Sequence, residues 1–325
     1  MNQRLLLAIA VASFTAAVLA PSGAFAQYPT RPVRVVIPFP PGGVVDTVAR
    51  MWIQRVAPSL GTLVGDNRPG AGGIIGAGEV ARAQPDGYTL LIGNTSTQVL
   101  NPAVMARPPY DAAKDFVTVD IIAISATSII IHPSLPVRNL NELVRYAKAN
   151  PGKLSYGSAG AGTITHLAGE MFKQRAGNLQ IVHVPYKGVG LATTDLVSGY
   201  VPMLVANVTG QLLGLHETGK IRILAVNVPA RLKGAPSIPT ASPTVPNMIA
   251  TLFTGVFAPA GTPRPIVDRV SQATRQALAD AGFQKLLLDS GIEPVLDSSP
   301  EKAQRFIDDE RGRLMPVIEA TGFKK

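Results

Sequence analysis

The sequence contains no cysteine among its 325 residues. That absence excludes disulfide bonds, thiolate metal sites, a cysteine nucleophile and a lipid-modified N-terminal cysteine. The chain also lacks a long uncharged apolar run after Leu19. No later segment is therefore expected to cross a membrane.

Clusters of basic residues are absent as well, although Lys and Arg exceed Asp and Glu and the net charge is +9. The longest basic run is Lys324-Lys325. A basic excess suits nucleic acid, acidic membrane surfaces or small anions. Because the basic residues are scattered, we expect no nucleic-acid partner, and the charge favours small anions only weakly.

The N-terminus has the features of a secretory signal peptide. A basic start at Met1 to Arg4 precedes the uncharged apolar run from Leu5 to Leu19, and Ala24-Phe25-Ala26 stands before Gln27. A run of this length is short for a membrane span, and small residues lie at the usual cleavage spacing. We predict a signal peptide over residues 1–26, cleaved after Ala26, and a monomer without a lipid tether in the periplasm.

The stretch from Val33 to Val56 predicts a strand, a sharp loop and a helix. A β-branched run from Val33 to Ile37 is stopped by Pro40-Pro41, and Gly42-Gly43 then allows a tight turn. The apolar residues that follow at helical spacing are Val45, Val48, Ala49, Trp52 and Val56. The first amides of a helix lack partners within it, so this loop outlines an anion site.

The segment from Tyr156 to Phe172 repeats this design. A strand ends near Tyr156, the glycine-rich loop 157–162 follows, and a helix is predicted from Thr163. Ser158 and Thr163 add hydroxyl donors beside the free amides. If both helix starts face one cleft, an anion can be held there without Arg or Lys.

Strands alternate with helices along the chain, which predicts an α/β fold with mostly parallel sheets flanked by helices. The apolar run from Val117 to Ile131 is interpreted as two strands joined near Ser125, crossing into a second lobe. Residues 93–97 are predicted to form a polar loop. The Pro-rich stretch from Pro229 to Pro246 is typical of a linker. We assign residues 27–118 and 228–325 to lobe 1 and residues 119–227 to lobe 2.

Several motifs, in order along almost the whole chain after residue 26, resemble those of one receptor family. They are PFPPGGVVDTVAR (38–50), NRPGAGG (67–73), AQPDGYTLLIG (83–93), NPGKLSYGSAGAGTITHLAGEMFK (150–173), HVPYKG (183–188) and APAGTP (258–263). This set is similar to that of the Bug or TctC-type extracytoplasmic receptors, the substrate-binding proteins of tripartite tricarboxylate transporters.

The resemblance implies a two-lobed, type II-like periplasmic binding-protein fold that closes on a small organic carboxylate. It also implies delivery to a permease with a large and a small membrane subunit. In the family, two loops grip the ligand carboxylate, and their patterns fall here on Phe39, Gly42 and Gly43 and on Ser158, Gly160, Gly162 and Thr163. The complete candidate set adds Pro41, Asp46, Thr95, Ser96, Ala161, His166 and Asn207. No cofactor, metal site or catalytic residue is predicted.

Other interpretations of these residues remain open. Asp46 has the i,i+4 spacing for an ion pair with Arg50, or it meets a ligand ammonium. Ser158 with His166 would suit an exported serine hydrolase, although the GxSxG elbow is absent. His166 and Glu170 are one turn apart, as in some metal sites. A receptor that signals to a membrane sensor kinase is an alternative within the binding class.

Neither glycine-rich stretch matches the GxGxxG pattern of dinucleotide-binding proteins. Ile75 stands where the third glycine of the first stretch would be, and Thr165 where that of the second would be. The sequence departs from the receptor family at Pro239 to Pro243, which lacks the usual acidic residue, and at Phe253, where a Trp often stands. Both differences lie away from the two carboxylate loops, so they affect specificity or lobe packing more than the class.

Overall fold

The computed structural model describes residues 28–323. The predicted signal peptide, 1–26, lies outside these residues. No helix within them is long and apolar enough to span a bilayer.

Strands and helices alternate along most of this range, with two consecutive strands and two consecutive helices near its C-terminal end. In the first half they are β1 (Val33–Ile37), α1 (Val44–Leu60), β2 (Leu63–Asn67), α2 (Ile74–Ala81), β3 (Thr89–Asn94), α3 (Asn101–Val104), β4 (Phe116–Ile131), α4 (Leu140–Ala149), β5 (Leu154–Ser158) and α5 (Ile164–Arg175). In the second half they are β6 (Ile181–Pro185), α6 (Val189–Val197), β7 (Met203–Asn207), α7 (Gly210–Glu217), β8 (Arg222–Val226), β9 (Thr251–Pro259), α8 (Arg264–Ala279), α9 (Ala281–Asp289), β10 (Ile292–Pro294) and α10 (Pro300–Ala320).

The predicted strand-loop-helix of the first lobe is present. Strand β1 is buried because its Val and Ile side chains are covered on both faces. Helix α1 buries the predicted apolar stripe, and Trp52 at its centre is fully inaccessible to solvent. The Trp52 Nε1–H donates to Thr274 Oγ1 at 3.0 Å, which ties α1 to α8 through a buried hydrogen bond.

Each lobe contains a mixed sheet built on three parallel strands. In lobe 1, β2, β1 and β3 are parallel, and β9 joins β3 antiparallel. In lobe 2, β6, β5 and β7 are parallel. Short strands β10 and β8 pair antiparallel with β4, which therefore belongs to both sheets.

Strand β4 is a single strand of 16 residues, so the prediction of two strands joined near Ser125 is wrong. Its first part, as far as Ala126, pairs with β9, and its last part, from Thr127, pairs with β7 and β8. The chain thus passes from one sheet to the next without a turn. Pairing partners change between Ala126 and Thr127, eight residues after the boundary we assigned from the sequence.

Three chain crossings between the lobes meet at Thr127. The Thr127 N–H donates to the Ala250 carbonyl at 3.0 Å, and the Thr127 carbonyl accepts from the Asn227 N–H at 2.8 Å. The Ala250 N–H in turn donates to the Asn227 carbonyl at 2.9 Å. These bonds join all three crossings side by side. The Pro-rich segment 229–246 between two of them forms no helix or strand.

The predicted polar loop at residues 93–97 is wrong, because Gly93 and Asn94 end β3 and a π-helical turn, Ser96–Leu100, follows. Asn94 explains the difference. Its Oδ1 accepts hydrogen bonds from the amides of Ser96 at 2.8 Å and Thr97 at 3.2 Å. The polar residues thus cap a helix. Short polar side chains favour helix caps as well as loops, so the sequence pattern alone does not distinguish the two.

We predict that Thr274→Val lowers the free energy of unfolding by about 1–3 kcal/mol, because the buried Trp52 indole N–H loses its acceptor. Urea unfolding followed by tryptophan fluorescence measures this change, since the chain has one Trp. The matched control is Thr194→Val on the exposed face of α6, where a change within about 0.5 kcal/mol is expected. Equal values for the two variants would contradict the role of this hydrogen bond.

Candidate functional site

The starts of α1 and α5, one from each lobe, line the same cavity. Gly43, Val44 and Val45 lie on one side and Thr163, Ile164 and Thr165 on the other. The volume of this inner cavity is about 40 Å³. Both helices therefore direct the positive ends of their dipoles at one small space, which favours an anion there.

The loop before α1 leaves backbone donors available to the inner cavity. Gly43 is the N-cap, and no side chain caps the helix there. The amides of Val44 and Val45 have no hydrogen-bond acceptor within the described residues. Gly42 precedes them with φ of 87°, a left-handed conformation that favours glycine and turns the chain into the helix.

Asp46 holds this loop in place. Its carboxylate accepts hydrogen bonds from Gly42 N at 3.2 Å, Asn67 Nδ2 at 2.9 Å and Arg50 Nε at 3.0 Å. The predicted i,i+4 ion pair with Arg50 is thereby confirmed. Asp46 is 4% exposed and does not line the inner cavity.

Most hydrogen-bond donors of the loop before α5 are paired with acceptors in the same loop or in the first turn of the helix. Thr163 caps α5 by accepting from the His166 amide, and its hydroxyl donates to the Gly160 carbonyl at 2.7 Å. The Gly160 N–H donates to Ser158 Oγ at 3.1 Å, and the Gly162 N–H to His166 Nδ1 at 3.3 Å. The predicted hydroxyls of Ser158 and Thr163 therefore shape this loop.

A hydrogen bond crosses the cleft between the lobes. The Ile164 N–H, the first amide of α5, donates to Ser96 Oγ of lobe 1 at 3.1 Å. The next amide, at Thr165, has no acceptor within residues 28–323. The neighbouring Thr95 faces away from this contact, since its hydroxyl accepts from Phe253 N at 2.9 Å.

A wider outer cavity of about 600 Å³ lies against the inner one. The two share the residues Phe39, Pro40, Ala159 and Gly188. Two of these shared residues pack directly against each other, because a Cβ at Gly188 would lie 2.4 Å from Pro40 Cγ. Lys187 is the single charged residue in the lining of the outer cavity.

The structure brings together about half of the predicted site residues. Those lining the inner cavity are Phe39, Gly43, Ser96, Thr163 and Asn207. Phe39 also lines the outer cavity, with Gly160 and Ala161. Those lining neither cavity are Pro41, Gly42, Asp46, Thr95, Ser158, Gly162 and His166.

Sequence reasoning missed several residues of the inner lining, namely Pro40, Val44, Val45, Ala159, Ile164, Thr165, Gly188, Val189 and Leu252. One signal was available for two of them. The motif HVPYKG (183–188) contains the end of strand β6. Gly188, with φ of 116°, caps helix α6, which begins at Val189. This segment is therefore a third strand-loop-helix. Leu252 comes from β9, which is remote in sequence, and no local pattern marks it.

Ser158 belongs to a buried polar cluster behind the second loop. Its Oγ lies 2.7 Å from His183 Nε2, so the hydroxyl is paired with His183 and not with His166. The His183 ring stacks between Tyr156, at a centroid distance of 4.9 Å, and His166, at 3.8 Å. Ser158 has no exposed surface, which gives a substrate no path to it.

Glu170 closes this cluster on the side away from the cleft. It accepts from the Tyr156 hydroxyl at 2.7 Å and from Lys173 Nζ, and it lies 3.9 Å from His166 Nε2. Within the described residues, no group of three or more potential metal ligands occurs. The cluster thus serves to hold β5, β6 and α5 together behind the binding loop.

Comparisons with known proteins place these features in a family. The family model for the tripartite tricarboxylate transporter family receptor (TctC) matches residues 48–323. BugT of Bordetella pertussis is 33% identical over 324 residues, covering 99% of this chain and 98% of BugT.

Solved structures with the same fold include the periplasmic binding protein BugD. It is 32% identical, with a TM-score of 0.86 over 92% of this chain and 100% of BugD. An R. palustris protein solved with adipate is 34% identical, with a TM-score of 0.87 over 91% of this chain and 99% of that protein. The predicted two-lobed binding-protein fold is confirmed by these likenesses.

We predict that acid destabilises the fold through His183. Burial, the largest cause, lowers the pKa of His183 from its ordinary value of 6.5 to about 4. Between these values the unfolded chain binds more protons, so the free energy of unfolding falls as the pH drops from about 6.5 to about 4, and above 6.5 this effect vanishes. We expect about 2 kcal/mol, less than the full shift implies because solvent partly reaches the ring.

The measurement is urea unfolding at several pH values for wild type and His183→Gln, in which Gln retains a polar group for Ser158. Other groups titrate in the same range, so the difference between the two proteins isolates this contribution. Parallel pH profiles for wild type and His183→Gln would contradict the assignment.

Proposed function

The chain belongs to the tripartite tricarboxylate transporter receptor family, and from that premise we propose that it is a periplasmic receptor that captures a small organic carboxylate between its lobes. Delivery to the large and small membrane subunits of a tripartite transporter follows in this proposal. The signal peptide, removed after Ala26, directs the receptor to the periplasm, where it acts as a monomer.

The observation that carries the proposal is the pair of helix starts in one cavity whose lining includes no charged side chain. The amides of Val44, Val45 and Thr165 point donors at this space without an acceptor among the described residues. N–H donors at helix starts bind anions without a fixed cation. Hydrogen bonds to a carboxylate are also about twice as strong as those between neutral groups.

The size of the inner cavity supports a ligand that enters with one end. A water molecule needs roughly 10–15 Å³ of such space, so about 40 Å³ admits a carboxylate group and little more. The rest of the ligand extends past Phe39 and Pro40 into the outer cavity. The relative solved with adipate, a carboxylate at each end of a carbon chain, supports this class of ligand.

Closure of the lobes around the captured ligand produces the shape that a membrane partner recognises. The Ser96–Ile164 hydrogen bond joins the two lobes across the cleft. In this proposal it stabilises the closed state, and closure removes water from the carboxylate. A ligand that favours the closed state shifts the population toward it. The closed shape is what the permease recognises; a membrane sensor kinase that recognises the same shape is the alternative partner.

An exported serine hydrolase using Ser158 is the rival from another class. The geometry favours the receptor, since Ser158 is fully buried, lines neither cavity and bonds to His183. The loop amide of Gly160 already donates a hydrogen bond to the Ser158 hydroxyl. A nucleophile needs access to substrate and a free oxyanion donor.

The first test is a thermal-shift panel of mono- and dicarboxylates on protein refolded after denaturation, which removes ligand carried through purification. We expect at least one carboxylate to raise the Tm in a concentration-dependent manner, as binding to the folded state requires. Native mass spectrometry of the unrefolded protein identifies any ligand retained from the cell. Steady ester hydrolysis that is lost in Ser158→Ala would refute the receptor assignment.

The second test is Gly43→Val. Gly43 has φ of −88° and ψ of 167°, which suits valine, and a Cβ there would lie 3.9 Å from Val189 Cγ1 across the inner cavity. The added methyl groups therefore fill the place of the carboxylate. We expect carboxylate affinity to fall at least about tenfold, or about 1.4 kcal/mol, in calorimetry.

The matched control is Gly214→Val on α7, where a Cβ would have no atom within 4 Å. Its effect on affinity should be negligible, and helix stability is retained because valine has a higher helix propensity than glycine. If Gly43→Val binds as tightly as this control, the carboxylate does not lie at the start of α1.

A further inference from the structure

We infer that the C-terminal end of α10 is a strap, formed by residues 313–323, that links the two lobes and stabilises their present arrangement. The inference rests on the proposed function only in that closure of the lobes serves ligand capture. Three features carry it: the contacts of α10 with lobe 1, the contacts of the strap with lobe 2, and a weak point in the helix between them.

The first half of α10 is fixed to lobe 1. Thr118 Oγ1 of β4 donates to Gln304 Oε1 at 2.7 Å. The Phe306 ring packs edge to face on Phe253 of β9, with the ring centroids 5.7 Å apart. Ile307 is buried as well. This half of the helix therefore moves with lobe 1.

The strap packs on α5 of lobe 2. Gln174 Nε2 donates to the Ala320 carbonyl at 2.8 Å, and the centroids of the Phe323 and His166 rings lie 4.5 Å apart. His166 and Gln174 are eight residues apart, so they share one face of α5. Phe323 is 6% exposed, so little of its ring meets solvent. The end of α10 thus joins the lobes at a place separate from the hydrogen bonds at Thr127.

Both α5 and the strap also contact the segment that leads into β9. Arg175, the last residue of α5, donates to the Asn247 carbonyl. Arg313, the first residue of the strap, donates through Nη1 to the Ile249 carbonyl at 3.3 Å. Both carbonyls lie just before Ala250, at one of the three crossings. The strap therefore begins beside the crossings and ends on lobe 2.

The helix has a weak point at the start of the strap. Pro316 lies inside α10, and because proline has no N–H, the helical hydrogen bond to the Gly312 carbonyl is missing. Gly312 is exposed, and glycine has the lowest helix propensity after proline. Both residues lie between the contacts with lobe 1 and those of Gln174 and Phe323. Rotation of the lobes bends the helix here, so the continuous helix of this structure favours the present arrangement.

The strap also acts on the second binding loop through His166. The Gly162 N–H of that loop donates to His166 Nδ1 at 3.3 Å, and Thr163 caps α5 by accepting from the His166 amide. Phe323 packs on the same imidazole ring. Thr163 lines the inner cavity. A strap held in place therefore keeps both the spacing of the lobes and one wall of the candidate site.

Distances between spin labels on the two lobes test the inference without any ligand. The chain has no cysteine, so Val64→Cys and Val182→Cys supply two unique attachment sites. Both valines are more than half exposed and lie on β2 and β6, the outermost strands of the two sheets. Double electron–electron resonance between these labels measures the proportion of each arrangement of the lobes.

Gly312→Ala stiffens the strap. A Cβ at Gly312 would have no atom within 4 Å, so alanine raises the helix propensity without a clash. We expect the population of the present arrangement, relative to more open ones, to rise about fivefold. Gly214→Ala is the matched control, because it makes the same change at an equally open position of α7, within lobe 2. The control should leave the distances unchanged.

Phe323→Ala and Gln174→Ala each remove one contact of the strap with lobe 2. We expect Phe323→Ala to lower the population of the present arrangement about fivefold, and Gln174→Ala to lower it less. Because Gln174 is exposed, its substitution leaves the core intact. Gln180→Ala is its matched control, since Gln180 is also exposed and donates to the Asn178 carbonyl within lobe 2.

The outcomes separate this inference from the proposed function. Distances in Gly312→Ala and Gln174→Ala that match those of their controls would overturn the strap and leave the receptor assignment intact. More open lobes in Gly312→Ala, or more closed lobes in Phe323→Ala, would overturn it as well, since the strap would then oppose the present arrangement. Failure of every carboxylate in the thermal-shift panel would overturn the receptor assignment and leave the result on the strap unchanged.

Discussion

The site depends on one property of the α-helix, namely that its first amides have no carbonyl partners within the helix. Within residues 28–323, five of the ten helices pair one of these donors with a capping side chain, as Asn139 does for α4 and Ser299 for α10. Helix α1 has no such side chain, because Gly43 stands at its cap. Its first amides therefore have no acceptor among residues 28–323, which makes this helix start the candidate anion site.

The second helix start contributes differently. Helix α5 is capped by Thr163, and its first amide bonds to Ser96 across the cleft, so part of its donor capacity serves closure. This division has a mechanical basis in the hinge. All three crossings between the lobes are bonded together at Thr127. In the proposed receptor this short region is the hinge, and rotation about it moves both helix starts relative to each other. In the proposed receptor, closure uses the Ile164 amide and anion binding uses the adjacent amide of Thr165.

Much of the fold and of the loop positions followed from the sequence because they depend on neighbouring residues. Proline stops a strand, glycine turns the chain, and helical spacing marks the buried stripe of α1. The roles of individual polar groups did not follow. Asp46 and Ser158 stood among the candidate ligand contacts, and the sequence did not indicate their protein partners Asn67 and His183, which lie 21 and 25 residues away. The sequence states which groups are polar but not which of them find a protein partner.

The residues that sequence reasoning missed point to where specificity arises. Motifs common to a family record the loops that hold a carboxylate, and the polar side chains in those loops here largely brace the loops themselves. Val189 and Leu252 come from other elements, and no motif marks them as ligand contacts. They line the inner cavity beside the two helix starts. In the proposed receptor, their size and polarity therefore act on the carbon chain of the ligand, the part that differs between ligands. A family can therefore keep one anion cradle and change its ligand by substitutions in such walls, with the backbone donors unchanged.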